Sequence, residues 1–197
     1  KTKGLGGISK TKGRNVAELH SKGLVMHTCL ATTTEGLPIG LLDQGIFARK
    51  AKEERCASTP VEEKEIYRWI ESLRRTEQYK GQAKLVTVCD READFYDFLQ
   101  AADDMNASFL VRAKVNRSIN KKSRYAEKDV VKLWELMENS PSSGTFEVEV
   151  PSRRSGKRCA EREGRIAELE VKYASFELSA PVNNIRNRSG ALPNIPM

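Results

Sequence analysis

The stretch AKLVTVCDREADFYDFLQ, from Ala83 to Gln100, decides the fold. Its apolar run with two valines and a threonine is too short for a helix of its own, so it predicts a buried β-strand. After Asp90, the apolar residues Phe95, Phe98 and Leu99 recur at helical spacing. Asp90 is therefore expected at the point where a buried strand gives way to a helix.

The segments on both sides extend this unit. A second short apolar run, SFLVRAK, follows the predicted helix, and strand, helix and strand in this order predict a βαβ unit with parallel strands. Upstream, LVMHTCLATT and IGLLDQGIFAR flank the turn sequence TEGLP and predict a β-hairpin with both strands largely covered. Between them, Thr59 and Pro60 are typical of a helix start, and the helix would bury Ile70 and Leu73. Residues 23–115 are thus predicted to form one mixed α/β sheet with helices.

The amino-acid composition becomes more basic near Lys114. Six Lys or Arg and no acid lie between Arg112 and Arg124, and VVKLWELMENS predicts a short helix. The residues that follow alternate between apolar and polar, which predicts a twisted antiparallel β-ribbon. A basic loop joins its two arms and contains Arg153, Arg154, Lys157 and Arg158.

Charge and cysteine content narrow the class of protein. The chain has 197 residues and a net charge of +7. Residues 1–22 carry six Lys or Arg against one acid, residues 23–111 carry eleven against fifteen, and residues 112–172 carry fifteen against ten. Two basic regions around a mildly acidic centre suit a polyanionic partner. The four cysteines form no C-x-x-C pair, which argues against zinc and fits a reducing cytoplasm. The sequence has no apolar run long enough to predict that the chain spans or binds a membrane.

Three interpretations of Asp90 are compatible with the pattern alone. An aspartate at a helix start commonly caps the helix, and acids in its first turn, here Glu92 and Asp94, are stabilised by the helix dipole. Carboxylates held together at the carboxyl end of a strand can instead bind Mg²⁺. A phospho-accepting receiver domain also has an acid at a strand end, but the hairpin and the basic ribbon argue against an all-parallel receiver sheet.

The block CDREAD, from Cys89 to Asp94, resembles the block around the second catalytic aspartate of IS4-family DDE transposases, the group that includes Tn5-like enzymes. Other segments resemble the same family in order and spacing. They are the hairpin GLVMHTCLATTTEGLPIGLLDQ, the helix EEKEIYRWI, the strand SFLVRAKVNR and the β-rich stretch from GTFEVEVP to ASFELSAP. The resemblance covers almost the whole chain, and CDREAD is its most specific part.

The resemblance implies an RNase H-like core interrupted by a β-rich insertion domain. It divides the chain into a basic lead-in (1–22), a partial RNase H-like catalytic core (23–118) and a partial insertion domain (119–197). In this family two Asp and one Glu bind two Mg²⁺ or Mn²⁺ ions that cut and join DNA strands. Only the second acid, Asp90, can be placed, because residues 1–22 contain no Asp and residues 181–197 do not match the helix that carries the Glu. We therefore expect a central piece of a longer protein, inactive by itself.

The resemblance also assigns partners. Arg112 and Lys114 are expected to contact DNA phosphates near the active site, and Glu92 is a candidate support for the metal ligand, with first-turn stabilisation as the simpler alternative. The four basic residues of the ribbon loop would either track a DNA backbone or be solvated. Partners would be double-stranded DNA of transposon ends and target, in the bacterial cytoplasm or nucleoid, with a homodimer in the DNA complex left open.

The alternative from another class is a non-catalytic basic DNA-binding module on the same fold. Of the remaining polar and aromatic residues, His27 is expected to be a hydrogen-bonded core histidine. Trp69 and Trp134 are expected to belong to the core, because both lie on helices predicted to be amphipathic.

Overall fold

The computed structural model describes residues 23–48, 60–81, 83–119, 131–156, 159–181 and 195–197. Within these ranges the protein is mixed α/β, with a few helices and several small sheets. The chain divides into two compact units, Lys1–Val115 and Asn116–Met197. The lead-in 1–22, the predicted helix cap Thr59, and Lys157 and Arg158 of the ribbon loop lie outside the described residues.

The first unit begins with the predicted β-hairpin. Strand β1 (Leu24–Thr32) pairs antiparallel with β2 (Pro38–Ala48). The turn between them is closed by a hydrogen bond from the Gly36 N–H to the Thr33 carbonyl at 3.0 Å. Gly36 adopts φ +85, a backbone conformation that favours glycine. The hairpin prediction is confirmed.

The expectation that both hairpin strands are largely covered is wrong. Residues of β1 alternate strictly between half-buried and exposed, and the described helices lie against one face of the hairpin. In the part of the chain that the structure describes, the other face exposes more than half of each of several apolar residues, among them Leu24, Met26, Leu30, Leu41 and Ile46. Continuous apolar composition predicted two covered faces, whereas the described helices cover one.

The helix after Pro60 begins later than its cap signal predicts. Two 3-10 turns, Val61–Glu63 and Glu65–Tyr67, precede helix α1 (Arg68–Glu77). Lys64, with an extended ψ of 148°, separates the two turns and prevents one continuous helix. Ile70 and Leu73 are buried as the periodicity predicted.

The βαβ unit around Asp90 is confirmed. Strand β3 (Val86–Cys89), helix α2 (Tyr96–Asp104) and strand β4 (Ser108–Val111) follow in order, and the two strands are parallel. Phe98 of α2 is fully buried and meets the Phe109 ring edge to face, with 6.1 Å between centroids. The strands are not buried on both faces, however, because Val88 is 72% exposed and Leu110 is 62% exposed.

The prediction of one mixed sheet is also wrong for the described residues. The hairpin and the parallel pair form two separate two-stranded sheets. Helices α1 and α2 pack against each other, α1 contacts the hairpin, and α2 contacts β4 through Phe98 and Phe109. His27 of β1 lies against Trp69 of α1, with ring centroids 4.5 Å apart. A shared helical layer therefore holds together two strand pairs that are not hydrogen-bonded to one another there.

The second unit contains a small sheet, a helix and a ribbon. Its elements are β5 (Ser118–Ile119), β6 (Val131–Lys132), α3 (Leu133–Asn139), β7 (Gly144–Val150), β8 (Arg165–Val171), β9 (Glu177–Leu178) and β10 (Ile195–Pro196). The sheet has the order β10-β9-β5-β6, and Ile119, Leu178 and Ile195 are buried in it. The short helix is confirmed, but the core prediction for Trp134 is wrong because this side chain is 54% exposed.

Strands β7 and β8 form the predicted antiparallel ribbon. Its two faces differ, because directly opposed residues lie on the same face of a pair of strands. Phe146 opposes Leu169 on an apolar face, while Glu147 opposes Glu168 on an acidic face.

Of the helices within the described ranges, none is long and apolar enough to span a bilayer.

Candidate functional site

Asp90 follows β3 directly, and its side chain is exposed. Its Oδ1 accepts the Glu92 N–H at 2.7 Å, and its main-chain carbonyl accepts the Ala93 N–H at 3.1 Å. Helix α2 begins only at Tyr96, with the extended Phe95 at its N-cap. Asp90 therefore closes a turn of its own, and the interpretation of Asp90 as a cap of α2 is wrong.

Glu92 and Asp94 lie in the loop before α2, so the expectation that they occupy its first turn is wrong as well. Glu92 Oε2 forms an ion pair with Arg68 Nη2 at 2.7 Å. Asp94 Oδ2 accepts the main-chain N–H groups of Lys114 at 2.6 Å and Val115 at 3.1 Å. Both carboxylates are engaged in holding the loop.

Arg112 and Lys114 follow β4 and are exposed. The Arg112 N–H donates to the Cys89 carbonyl at 3.4 Å, which places it beside the carboxyl end of β3. Because parallel strands end at the same edge of a sheet, the structure brings these two basic residues and Asp90 to one edge of the β3–β4 pair.

Arg68 was missed by the sequence analysis. Its guanidinium carbon lies 5.4 Å from the centroid of the Phe47 ring and 5.9 Å from that of Trp69, and Nη1 donates to the Glu65 carbonyl at 2.6 Å. Its partner Glu92 is 24 residues away in sequence. No local pattern joins two residues so far apart, and the only sequence signal was a basic residue at the start of an amphipathic helix.

Burial shifts the pKa values of two side chains on the strands, Cys89 of β3 and His27 of β1. Burial, with smaller contributions from the charges of Cys29 and Asp90, raises the pKa of the Cys89 thiol to about 12. Burial and the nearby Arg68 guanidinium lower the pKa of His27. Cys89 is therefore a protonated core residue at neutral pH, and His27 packs on Trp69 chiefly in its neutral form.

The described part of the ribbon loop is held by hydrogen bonds of its main chain and of two arginine side chains. Arg153 and Arg162 exchange N–H to carbonyl hydrogen bonds at 2.8 and 2.9 Å. Arg153 Nη2 also donates to the Ala160 carbonyl at 3.2 Å, and Arg162 Nη2 donates to that of Pro151 at 3.1 Å. Arg153 and Arg154 are exposed. Two guanidinium groups thus brace the loop while remaining at the surface.

The exposed Asp90 carboxylate fits one ligand position of a hard divalent cation, which prefers oxygen ligands. The neighbouring Glu92 and Asp94 are committed to other contacts, and no group of three or more His, Cys, Asp or Glu within the described ranges is arranged to hold a metal ion. A comparison of the sequence with models of known protein families finds no match. The described residues therefore supply one exposed carboxylate beside two exposed cations at a strand edge.

Proposed function

We propose that the chain is the central part of a DNA transposase resembling the IS4 family, with an RNase H-like core and a β-rich insertion domain. In this proposal Asp90 is one of the acids that hold the catalytic Mg²⁺ or Mn²⁺. The observation that carries it is the exposed Asp90 carboxylate at the carboxyl end of a parallel strand, beside Arg112 and Lys114.

Each residue has a defined part in the proposed chemistry. When bound, two divalent ions would activate water or a DNA 3′-hydroxyl for attack on a phosphodiester and stabilise the leaving oxygen. Asp90 would supply carboxylate oxygens to such a centre, and Arg112 and Lys114 would hold the DNA backbone by phosphate contacts that carry no sequence information. The other acidic ligands would come from other parts of the same protein.

The separation of the two strand pairs supports this proposal. Strands β1 and β3 each have an edge without a strand partner among the described residues. A further strand paired with both edges would join the two pairs into one sheet, and the proposal puts the first acid on that strand.

A second candidate function is favoured by the engagement of Glu92 and Asp94. If Asp90 only closes its turn, the same basic residues make the chain a DNA-binding module without chemistry. The two candidates differ in one property: in the enzyme Asp90 would hold a divalent ion that favours the binding of DNA, whereas in the module Asp90 would hold none.

Duplex DNA binding with and without Mn²⁺ tests this difference. Fluorescence anisotropy should show that Mn²⁺ strengthens DNA binding by the wild-type chain more than by Asp90→Asn. Asp103→Asn, which removes an exposed acid from α2, is the matched control and should respond to Mn²⁺ like wild type. An equal Mn²⁺ effect in all three proteins would reject the enzyme and leave the binding module, and an absence of DNA binding would reject both.

A further inference from the structure

We infer that Arg68 is a positioning residue for Asp90, acting through Glu92 to hold the turn that orients the Asp90 carboxylate. The inference rests on the proposed function for its consequence in metal binding. Neither Arg68 nor Glu92 needs to touch the metal or the DNA for this role.

The connection from Arg68 to Asp90 takes two short contacts. Arg68 Nη2 and Glu92 Oε2 are 2.7 Å apart, and the Glu92 N–H donates to Asp90 Oδ1 at 2.7 Å. The Arg68 side chain is only 14% exposed and that of Glu92 33%. Partial shielding from water strengthens this pair relative to a fully exposed one.

Arg68 is itself held in place by its surroundings. It contacts Phe47 of β2 and Trp69 of α1 through the faces of their rings, and its Nη1 is bonded to the Glu65 carbonyl. A planar guanidinium can stack on rings and donate hydrogen bonds from its edge at the same time, whereas an ammonium cannot. The hairpin and helix α1 thereby supply a fixed point to which the Asp90 turn is tied.

The loop is anchored from its other end by Asp94, which bonds the main chain after β4. Residues 90–94 are thus held at Glu92 from the α1 side and at Asp94 from the β4 side. Between these anchors the buried Ala93 donates its N–H to the Asp90 carbonyl, so exchange of this amide reports on whether the turn is closed.

Amide hydrogen exchange in a double-mutant cycle tests the inference without metal or DNA. The proteins are wild type, Arg68→Met, Glu92→Gln and the double variant. If Arg68 acts through Glu92, Arg68→Met should accelerate Ala93 exchange, corrected for intrinsic rates, by about tenfold with Glu92 present and have little effect in the Glu92→Gln background. Exchange of the buried Ala102 amide in α2 corrects for global unfolding.

Two further variants test which property of Arg68 protects the Ala93 amide. Arg68→Lys should retain part of the protection because it keeps the charge but not the stacked fork. Arg74→Met removes an exposed arginine of the same helix that contacts Tyr67, and it should leave Ala93 exchange unchanged. An equal effect of Arg68→Met in both Glu92 backgrounds would overturn the inference, since Arg68 would then act only by packing on the rings.

Mn²⁺ alone provides the second readout, which separates this inference from the proposed function. Paramagnetic broadening of the Asp90 and Arg91 amides should require more Mn²⁺ in Arg68→Met than in wild type or Arg74→Met. Broadening at the same Mn²⁺ concentration in all three proteins would overturn the positioning role and leave Asp90 as a ligand. No broadening at Asp90 in wild type would reject the proposed function and with it any positioning of a metal ligand by Arg68.

Discussion

The Asp90 turn and the β7–β8 ribbon present charged groups in opposite ways. The turn rests on a packed layer in which Ala93 and Phe98 are fully buried, and each of its other acids is tied to a distant element. The ribbon is two strands with Phe146 51% and Ile166 67% exposed, and the described residues of its basic tip are braced by hydrogen bonds within the loop. One region fixes a carboxylate in space, while the other displays cations on a local scaffold.

The difference matches what each kind of contact requires. A metal ligand must be held within a fraction of an ångström, which takes a packed support and hydrogen bonds from a surrounding shell. Phosphate contacts by Lys and Arg act chiefly through charge and counterion release, so they need less exact placement of the side chain. We therefore expect the first region to be sensitive to substitutions far from Asp90, and the ribbon to be sensitive mainly to loss of its own charges.

The largest expected effect is on stability. Phe98→Ala should lower the unfolding free energy of the first unit by about 3–5 kcal/mol, because it removes a fully buried ring from the contact with Phe109. Phe146→Ala in the ribbon should lower that of the second unit by about 1 kcal/mol or less, the range of a cross-strand pair. Urea unfolding followed by Trp69 fluorescence in a Trp134→Phe background, and by Trp134 in a Trp69→Phe background, reports on each unit. Similar losses in both units would contradict the expectation that the Asp90 turn rests on a packed core while the ribbon does not.

A smaller loss is expected at the second anchor of the Asp90 turn. Asp94→Ala leaves the amides of Lys114 and Val115 without their carboxylate acceptor and should destabilise the first unit by about 1–3 kcal/mol. Hydrogen exchange should show both amides losing protection. Asp103→Ala, an exposed acid on α2, is the control and should change neither amide. Unchanged protection in Asp94→Ala would mean that the anchor contributes nothing in solution.

Local patterns predicted the elements well. The βαβ unit around Asp90 and the β7–β8 ribbon follow from periodicity and turn residues within short windows, and both are confirmed. The prediction failed where a property depends on distant residues. Whether the second face of β3 is covered depends on which distant residues pack against it. The sequence around Val88 is the same whether this residue is buried or exposed, and the structure shows it exposed.

The site was predictable to the same extent. Asp90 at a strand end could be located from sequence, because the end of the apolar run at Cys89 is a local signal. The tie between Arg68 and Glu92 could not, because it joins residues 24 positions apart through the packing of α1 on the hairpin. The engagement of Asp94 by main-chain amides after β4 was likewise set by the parallel pairing and not by its neighbours.

The salt dependence of DNA binding compares the two regions directly. Each phosphate contact adds about 0.9 to the slope of log affinity against log salt. Arg112→Ala/Lys114→Ala should lower this slope by about 1–2, if both contact phosphate. Arg153→Ala/Arg154→Ala is the matched pair at the ribbon tip, and Asp90→Ala should leave affinity unchanged or raise it slightly. A slope that changes only in the Arg153/Arg154 variant would move the DNA surface to the ribbon.

The smallest expected effect concerns pH. Because burial and Arg68 lower the pKa of His27 in the folded state, the fold favours neutral His27. This contribution to stability is present above the unfolded pKa of 6.5 and is lost progressively as the pH falls below 6.5 through the folded pKa. Urea unfolding of the first unit should therefore show a decline below pH 6.5 that is weaker in His27→Asn. The same decline in both proteins would assign it to other groups.

The location of bound Mn²⁺ by NMR tests most directly whether Asp90 is a metal ligand. We predict that millimolar Mn²⁺ broadens the amides of Asp90 and Arg91 first, and that Asp90→Asn abolishes this broadening while Asp103→Asn does not. The four glutamates on the ribbon, Glu147, Glu149, Glu168 and Glu170, provide an internal competitor for weakly bound cations. Broadening that is strongest at those glutamates and identical in wild type and Asp90→Asn would contradict the assignment of Asp90 as a metal ligand.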